Sequence, residues 1–443
     1  MRPRLISSSF RGRFPLRAGE CALLVILLFA AAGCGASGLE KRRKGYEAFY
    51  RGDLDGALTT LERKARSKDR LLAALDRGVI LHTAGRTEES NEAFARAEEI
   101  LEEVDVLDLS DQATAFLIND YQLEYQGEDF EKVLVHPFKA LNYLAQDDRS
   151  AALVECRALN NRLVEIQEKY EKKNVYAEDA FARYLSGIIY ESEGNRNDAL
   201  VAYRLAVAAF DKHGEAYGTP FPASLRSAVL RLAEAQGLGP LVAEFRERWP
   251  DAEWTPYAER RKSAEIVLVL ENGQAPVKEE KRFDVVAGEE IFSLAFPSYR
   301  AIPPRAAYCV LRAGGVSART ELAGDIAAIA EKDLEDRYGR AVARMIARLV
   351  VKHVEVDRVK KKNRILGAVL NIANTLNERA DLRSWETLPS NFQIARLSVP
   401  PGTYEKVEID LFSHQGNRLE TIDLGPWEME PGRTRFLYHR TME

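Results

Sequence analysis

Apolar residues recur at helical spacing through residues 40–255, and small residues recur among them at a fixed interval. The first two copies of this pattern are 33 residues apart at every aligned position, and a third copy keeps the same internal spacing. A repeat of this length indicates stacked helix pairs. The positions that define it are Gly45, Gly52, Ala57, Gly78, Gly85, Ser90, Phe94, Gly187, Gly194, Ala199 and Tyr203.

Each recurring small residue has a steric explanation. The first one in a copy, for example Gly78, lets the partner helix approach closely, and the second, for example Gly85, allows a left-handed turn between the two helices. This pattern resembles the tetratricopeptide repeat (TPR). The resemblance implies an all-α solenoid whose exposed concave face binds peptides or proteins.

Two further copies are less regular. One runs through Ala140 and Cys156, and Asp147 replaces the turn glycine in it. A degenerate helix pair over 225–249 ends the series. The sequence therefore predicts a TPR-like helical domain over residues 40–255.

After Ser263 the apolar period changes from 3.6 to 2, which indicates β-strands. Short strands separated by Asn-Gly and Pro-Gly turns predict an antiparallel β-sandwich-like domain over residues 263–443. Helical spacing returns over about 322–380, so we expect a helical insertion between the two halves of the sandwich. The expected fold class is multidomain α + β.

The insertion has an unusual charge pattern. Residues 337–364 hold ten basic side chains and two acidic ones. Four of the basic residues are spaced by four and form one stripe on a helix: Arg340, Arg344, Arg348 and Lys352. This stripe either contacts anionic lipid, glycan or an acidic partner, or is the solvated face of a helix that packs by its apolar side.

Two polar clusters also stand out. The first contains Tyr125, Glu128 and His136, and the second is Asp381–Glu386. They indicate either a ligand surface beside the solenoid or a set of helix caps and interdomain hydrogen bonds. Because His136 precedes a proline, we interpret it as a helix-start residue, and we interpret Trp385 as a core aromatic.

The first residues have the features of a lipoprotein signal peptide over 1–33. Basic residues precede an apolar run that is too short to span a bilayer. The small residues before Cys34 resemble the bacterial lipidation signal, which implies cleavage after Gly33, a lipidated Cys34 and a short tether over 34–39. By the same resemblance, Gly35 favours the outer membrane. Ordinary cleavage to a secreted protein and a permanent anchor are the alternatives.

The charge and the cysteine content of the chain argue against nucleic-acid binding and against a disulfide. The 443 residues carry a net charge of -5, and removal of the five Arg and one Glu of residues 1–33 leaves -9. This acidity argues against binding to nucleic acid. Two cysteines follow Cys34 in the sequence, Cys156 and Cys309. Because they lie in different predicted domains, we predict that they are buried free thiols and do not form a disulfide.

No sequence motif indicates chemistry. The six histidines form no dense metal-binding pattern, and no phosphate loop, nucleophile elbow or paired-cysteine motif is present. We therefore expect no catalytic residue, no cofactor and no metal site, and we expect the protein not to be an enzyme. A hydrolase with an unrecognised pair of carboxylates is a remote alternative.

A wider resemblance rests on fragments from both halves of the chain: Tyr50–Leu61, Ser90–Glu98, Tyr125–Leu144, Glu178–Ala206, Asn272–Lys278, Ala295–Arg300 and Ala380–Tyr404. Together they resemble an uncharacterised family of exported bacterial lipoproteins with N-terminal TPR-like repeats. The resemblance implies location and architecture but no activity. We expect a lipid-anchored periplasmic scaffold for an unknown envelope protein; a module that binds peptidoglycan or anionic lipid is the alternative.

Overall fold

The computed structural model of the chain describes residues 42–62, 67–110, 123–169, 178–287, 290–336 and 380–443. The predicted lipidation site and the whole basic stripe lie outside these residues: Cys34, Arg340, Arg344, Arg348 and Lys352. Over the described ranges no helix combines the length and the apolar character that crossing a membrane requires.

The helical part consists of consecutive pairs that are joined by tight turns, which is a TPR-like arrangement. Five pairs are described: α1 (42–50) with α2 (Leu54–Glu62), α3 (Arg70–Thr83) with α4 (Thr87–Ser110), α5 (Asp129–Ala145) with α6 (Arg149–Lys169), α7 (Ala180–Ser192) with α8 (Arg196–Tyr217), and α9 (Ala223–Ala235) with α10 (Gly239–Arg248). A short helix, α11 (Tyr257–Arg260), leads to the strands.

The turns inside the pairs share one backbone conformation. Each has a residue with positive φ, and these residues are Gly52, Gly85, Asp147, Gly194 and Gly237. Asp147, with φ 57°, is the only residue other than glycine with positive φ among the described residues. Aspartate tolerates this region better than most residues, which explains how it replaces glycine in the third pair.

The first small residue of each copy lies against the second helix of its own pair. A Cβ atom placed on Gly78 would lie 2.4 Å from the ring of Phe94, and one on Gly187 would lie 2.3 Å from the ring of Tyr203. In the third pair the corresponding residues are Ala140 and Cys156. Because the Cys156 thiol is smaller than the rings of Phe94 and Tyr203, the first helix of this pair has room for the alanine methyl group at position 140.

We expect substitution of Gly187 by Ala to lower the free energy of unfolding by about 1–3 kcal/mol, the usual cost of overpacking a core. The ring of Tyr203 has no room to move, because it is fully buried and its hydroxyl lies 2.7 Å from a Glu191 oxygen. Urea unfolding of the Gly187→Ala variant measures this. The matched control is Gly239→Ala, since a Cβ atom there meets nothing within 4 Å; equal losses in both variants would contradict the close contact.

The strands follow α11 and surround one further helix, α12 (326–336). Their bounds are β1 (Ala264–Asn272), β2 (Val277–Ala287), β3 (Glu290–Arg300), β4 (Ala306–Ala313), β5 (Val316–Arg319), β6 (Glu321–Asp325), β7 (Asn391–Val399), β8 (Gly402–Tyr404), β9 (Val407–Ser413), β10 (Arg418–Asp423), β11 (Trp427–Met429) and β12 (Thr434–Arg440). The predicted start of the helical insertion at 322 is wrong, because β6 pairs with β7 there and the helix begins at 326.

Among the described residues, the β part consists of two four-stranded sheets and two two-stranded sheets, β2-β3 and β8-β11. The first sheet has the order β12-β1-β7-β6, and the second has the order β10-β9-β4-β5. The prediction of purely antiparallel pairing is wrong for one pair, because β1 and β12 are parallel. β1 and β12 are the first and the last strands along the sequence, so no hairpin connection fixes their relative direction.

The first sheet is the middle layer of the molecule. In β1, Ile266 and Leu268 belong to the core between the two sheets. The alternate residues Val267 and Val269 belong to the core that the sheet shares with the helices. Because β1 is covered on both faces, its sequence is a nearly continuous apolar run rather than an alternating one.

The two described cysteines, Cys156 in α6 and Cys309 in β4, are free and buried, which confirms that prediction. Burial raises the pKa of each thiol to about 12. Both thiols are therefore protonated at neutral pH and are poor nucleophiles.

Candidate interaction site on the inner face of the helical repeats

The inner face of the helical repeats is formed by the first helix of each pair, and the first sheet covers it. Phe181 of α7 stacks on Phe392 of β7, with ring centroids 4.1 Å apart. His82 of α3 stacks on Tyr438 of β12 at 4.0 Å. The expected exposed concave face is therefore wrong for the described residues, because the chain fills that face itself.

A stretch without regular structure completes the cover. We call residues 380–390 the docked segment. Trp385 in this segment is 1% exposed, and its ring lies 6.1 Å from that of Phe94 and 5.9 Å from that of Phe138. Its backbone N–H donates to Glu131 of α5 over 2.8 Å. The prediction that Trp385 is a core aromatic is confirmed.

Arg383 ties the docked segment to the start of α3. Its guanidinium lies 3.0 Å from a carboxylate oxygen of Asp69 and 2.6 Å from one of Asp381. It also donates to the backbone carbonyls of Lys68 and Leu123. A guanidinium that is bonded to two carboxylates and two carbonyls holds the segment in one position.

The next residues of the segment bond to α1 and α3. The Thr387 hydroxyl donates to Asp76 over 3.0 Å. Asp76 also accepts from the Arg42 guanidinium at 2.7 Å and from the Tyr46 hydroxyl at 3.0 Å. The Tyr50 hydroxyl donates to the carbonyl of Glu386. Side chains of two successive repeats thus bind one irregular stretch of the same chain.

The predicted site residues Tyr125 and Glu128 lie beside this segment. The Tyr125 hydroxyl donates to Glu131, which also accepts from the backbone N–H of Glu128 over 2.8 Å. Glu128 is the N-cap of α5 and forms an ion pair of 2.6 Å with Lys278 of β2. The structure therefore gives these two residues a capping and interdomain role.

The interpretation of His136 as a helix-start residue is wrong. It lies in the middle of α5, which contains the following Pro137 in its interior. The first-turn signal of this helix is the pair Glu128 and Glu131, three residues apart. Proline at a first turn is common, but α5 continues past it.

His136 belongs to a buried ionic cluster that joins three helices. Its Nδ1 lies 2.9 Å from a Glu155 oxygen and 3.4 Å from a Glu98 oxygen. The Lys139 ammonium lies 2.6 Å from Glu98 and 2.8 Å from Glu155. Burial disfavours ionisation of Glu155, but the His136 hydrogen bond and the Lys139 charge outweigh it and lower the pKa of that carboxyl.

A second buried cluster connects the sheet with α7 and α9. Arg396 of β7 lies 2.9 Å from Glu191 and 2.9 Å from Glu265, and Arg231 lies 2.8 Å from Glu191. Burial opposes ionisation of Glu191, but the two guanidinium groups outweigh it and lower its pKa to about 2. None of these residues is predicted as a site residue from the sequence. The available signals were Arg396 in β7 and Glu265 in β1, charged residues within strands that are otherwise mostly buried.

Three carboxyl groups at the docked segment have raised pKa values. Burial, with the nearby charge of Glu128, raises the pKa of Glu131 to about 7. Burial raises the pKa of Asp76 to about 6, and burial together with the Asp76 charge raises that of Glu386 to about 8. Proton uptake by these groups therefore accompanies folding of the chain in this pH range.

The raised pKa values predict that stability falls between pH 5 and pH 8. The folded state holds these protons more tightly than the unfolded chain, so their contribution is complete below pH 4.5 and is lost as the pH rises through 6 to 8. The substitution Glu386→Gln should flatten this decline in urea unfolding. The exposed Glu428→Gln is the control, and an unchanged slope in Glu386→Gln would contradict the assignment.

No protein-family model matches the chain, and no curated protein matches it. Among solved structures, it is similar to the crystal structure of MamA, with 14% identity and a TM-score of 0.29 over 48% of this chain and 88% of that one. It is also similar to the apo form of RapI, with 15% identity and a TM-score of 0.34 over 47% of this chain and 51% of that one. At these scores the TPR-like assignment rests on the chain's own helix packing.

Proposed function

We propose that the chain is an exported, lipid-anchored and non-catalytic scaffold that binds a protein partner of the cell envelope. The segment before Cys34 supports export and lipidation, and the helical repeats support protein binding. An outer-membrane position facing the periplasm belongs to the same proposal. The observation that carries it is the series of helix pairs directly after the short tether.

The partner contacts the outer helices in this proposal, because the inner face is filled by the docked segment and the first sheet. Val154 of α6 is 51% exposed and Val201 of α8 is 57% exposed. They occupy equivalent positions, since each lies two residues after the repeat alanine, Ala152 or Ala199. Val164 of α6 is also 41% exposed. Exposed apolar residues that recur on the second helices of successive pairs suit a protein interface.

Crosslinking in intact cells, followed by detergent extraction and mass spectrometry, tests the proposal. We expect one envelope protein to be enriched with the wild-type chain and to be lost with a Cys34→Ala variant. The double variant Val154→Asp, Val201→Asp should also lose it. The matched control is Val316→Asp, because Val316 is exposed at 42% but lies in the β part.

Retention of the partner by the double valine variant would contradict the outer-helix interface. Retention of glycan or anionic lipid, with no enriched protein, would instead favour the alternative function through residues 337–364. Charge reversal of Arg340, Arg344, Arg348 and Lys352 should then reduce sedimentation with sacculi or vesicles, and salt should weaken the binding.

A further inference from the structure

The buried cluster around His136 has the composition of a metal site. We propose that Glu98, His136 and Glu155 bind a divalent transition metal ion, with zinc as the best match. The inference is independent of the proposed scaffold function. Imidazole nitrogen and carboxylate oxygen are both zinc ligands in proteins, and three protein ligands leave a fourth position for water.

The distances between the donor atoms suit a tetrahedral ion. Nδ1 of His136 lies 3.4 Å from Glu98 Oε1 and 2.9 Å from Glu155 Oε2, and one atom from each residue lies within 4.8 Å of the others. Ligands about 2.1 Å from a tetrahedral ion are separated from one another by about 3.4 Å. An ion can therefore enter with small side-chain shifts.

Lys139 shares both carboxylates with the proposed ion but contacts their other oxygens. Its ammonium bridges the remaining oxygens of Glu98 and Glu155. The atoms assigned to the ion are those that the ammonium leaves free, so the ion binds beside Lys139 and does not replace it. The neighbouring ammonium repels a dication and weakens its binding.

The proposed metal site is accessible to solvent on one side, and its other two ligands are buried. The Glu98 side chain is 27% exposed, so an ion reaches the cluster from that side. The His136 side chain is 8% exposed and that of Glu155 is 6% exposed, so packing holds them in position. The three ligands come from α4, α5 and α6, and a bound ion joins the second helix pair to the third. No metal motif is visible in the sequence, because the ligands are spread over three helices.

Zinc titration of the purified full-length chain in detergent, after treatment with a chelator, tests the proposal by calorimetry. We expect one ion per chain and a rise in melting temperature on binding. The variants His136→Gln and Glu155→Gln should weaken binding by roughly tenfold or more. Glu99→Gln should not, because that carboxylate is on the same helix as Glu98 but is 64% exposed.

Lys139→Met gives an independent test, because removal of the neighbouring positive charge should tighten zinc binding. Near-ultraviolet circular dichroism confirms that each variant is folded. A wild-type chain that binds no zinc, or a folded His136→Gln variant that binds as tightly as the wild type, would overturn the proposal. Weaker binding by a folded Lys139→Met variant would also overturn it, because a positive charge beside the proposed ion should oppose its binding.

Discussion

Substitution of Trp385 by Ala is expected to lower the free energy of unfolding by about 3–5 kcal/mol, the usual cost of removing a buried tryptophan. Trp385 is 1% exposed and packs between the rings of Phe94 and Phe138. Its removal opens a cavity where the docked segment meets the second and third helix pairs. Urea unfolding followed by circular dichroism measures the loss.

Trp385→Phe is the matched control for this prediction. The indole Nε1 has no hydrogen-bond partner among the described residues, so a phenyl ring keeps most of the packing and removes an unpaired donor. We expect a loss below about 1.5 kcal/mol. A loss below about 1 kcal/mol for Trp385→Ala itself would mean that the docked segment is not packed in the helical core.

The second large effect is expected from Arg396→Met, with a loss of about 3–5 kcal/mol at neutral pH. Glu191 and Glu265, each within 2.9 Å of this guanidinium, would be left buried with fewer cations. The exposed Arg418→Met, whose side chain is 61% exposed, should change stability by less than about 0.5 kcal/mol.

The pH dependence of the Arg396→Met loss identifies its cause. Glu191 has a lowered pKa in the wild type, so its favourable contribution is present above pH 4.5 and is lost as the pH falls through that value toward 2. The difference between wild type and variant should therefore shrink in acid. A difference that stays constant from pH 7 to pH 3 would point to lost packing rather than to uncompensated charge.

The sequence predicted the helical repeats well because their signals are local. The approach of Gly78 to Phe94 and the left-handed turn at Gly85 are properties of adjacent helices. Any sequence that repeats these small residues at the same spacing favours the same helix pair. The third helix pair has the same arrangement, with Ala140 at the position of Gly78 and Asp147 at the position of Gly85.

The covered inner face could not be predicted in this way. Trp385 meets helices that lie about 250 or more residues earlier in the chain, and no local spacing reports such a contact. The composition of Asp381–Glu386 is compatible both with a ligand surface and with interdomain hydrogen bonds. The structure supports the second interpretation, because two carboxylates and two backbone carbonyls surround the Arg383 guanidinium.

The filled inner face changes where a partner is expected to bind. Solenoid proteins bind partners on their concave surface, and here the docked segment occupies part of that surface. Binding of a partner at the inner face would require the segment to leave, with loss of the Trp385 and Arg383 contacts. We therefore propose that a partner binds at the outer helices, where Val154 and Val201 are exposed.

A double-mutant cycle between Asp69 and Arg383 tests the central claim most directly, because it measures contact between the helical repeats and the docked segment. The changes Asp69→Asn and Arg383→Met are made singly and together, and urea unfolding gives the four free energies. The 3.0 Å ion pair predicts a coupling energy of about 1–3 kcal/mol. A coupling near zero in folded variants would contradict the account, because the segment would then not occupy the inner face.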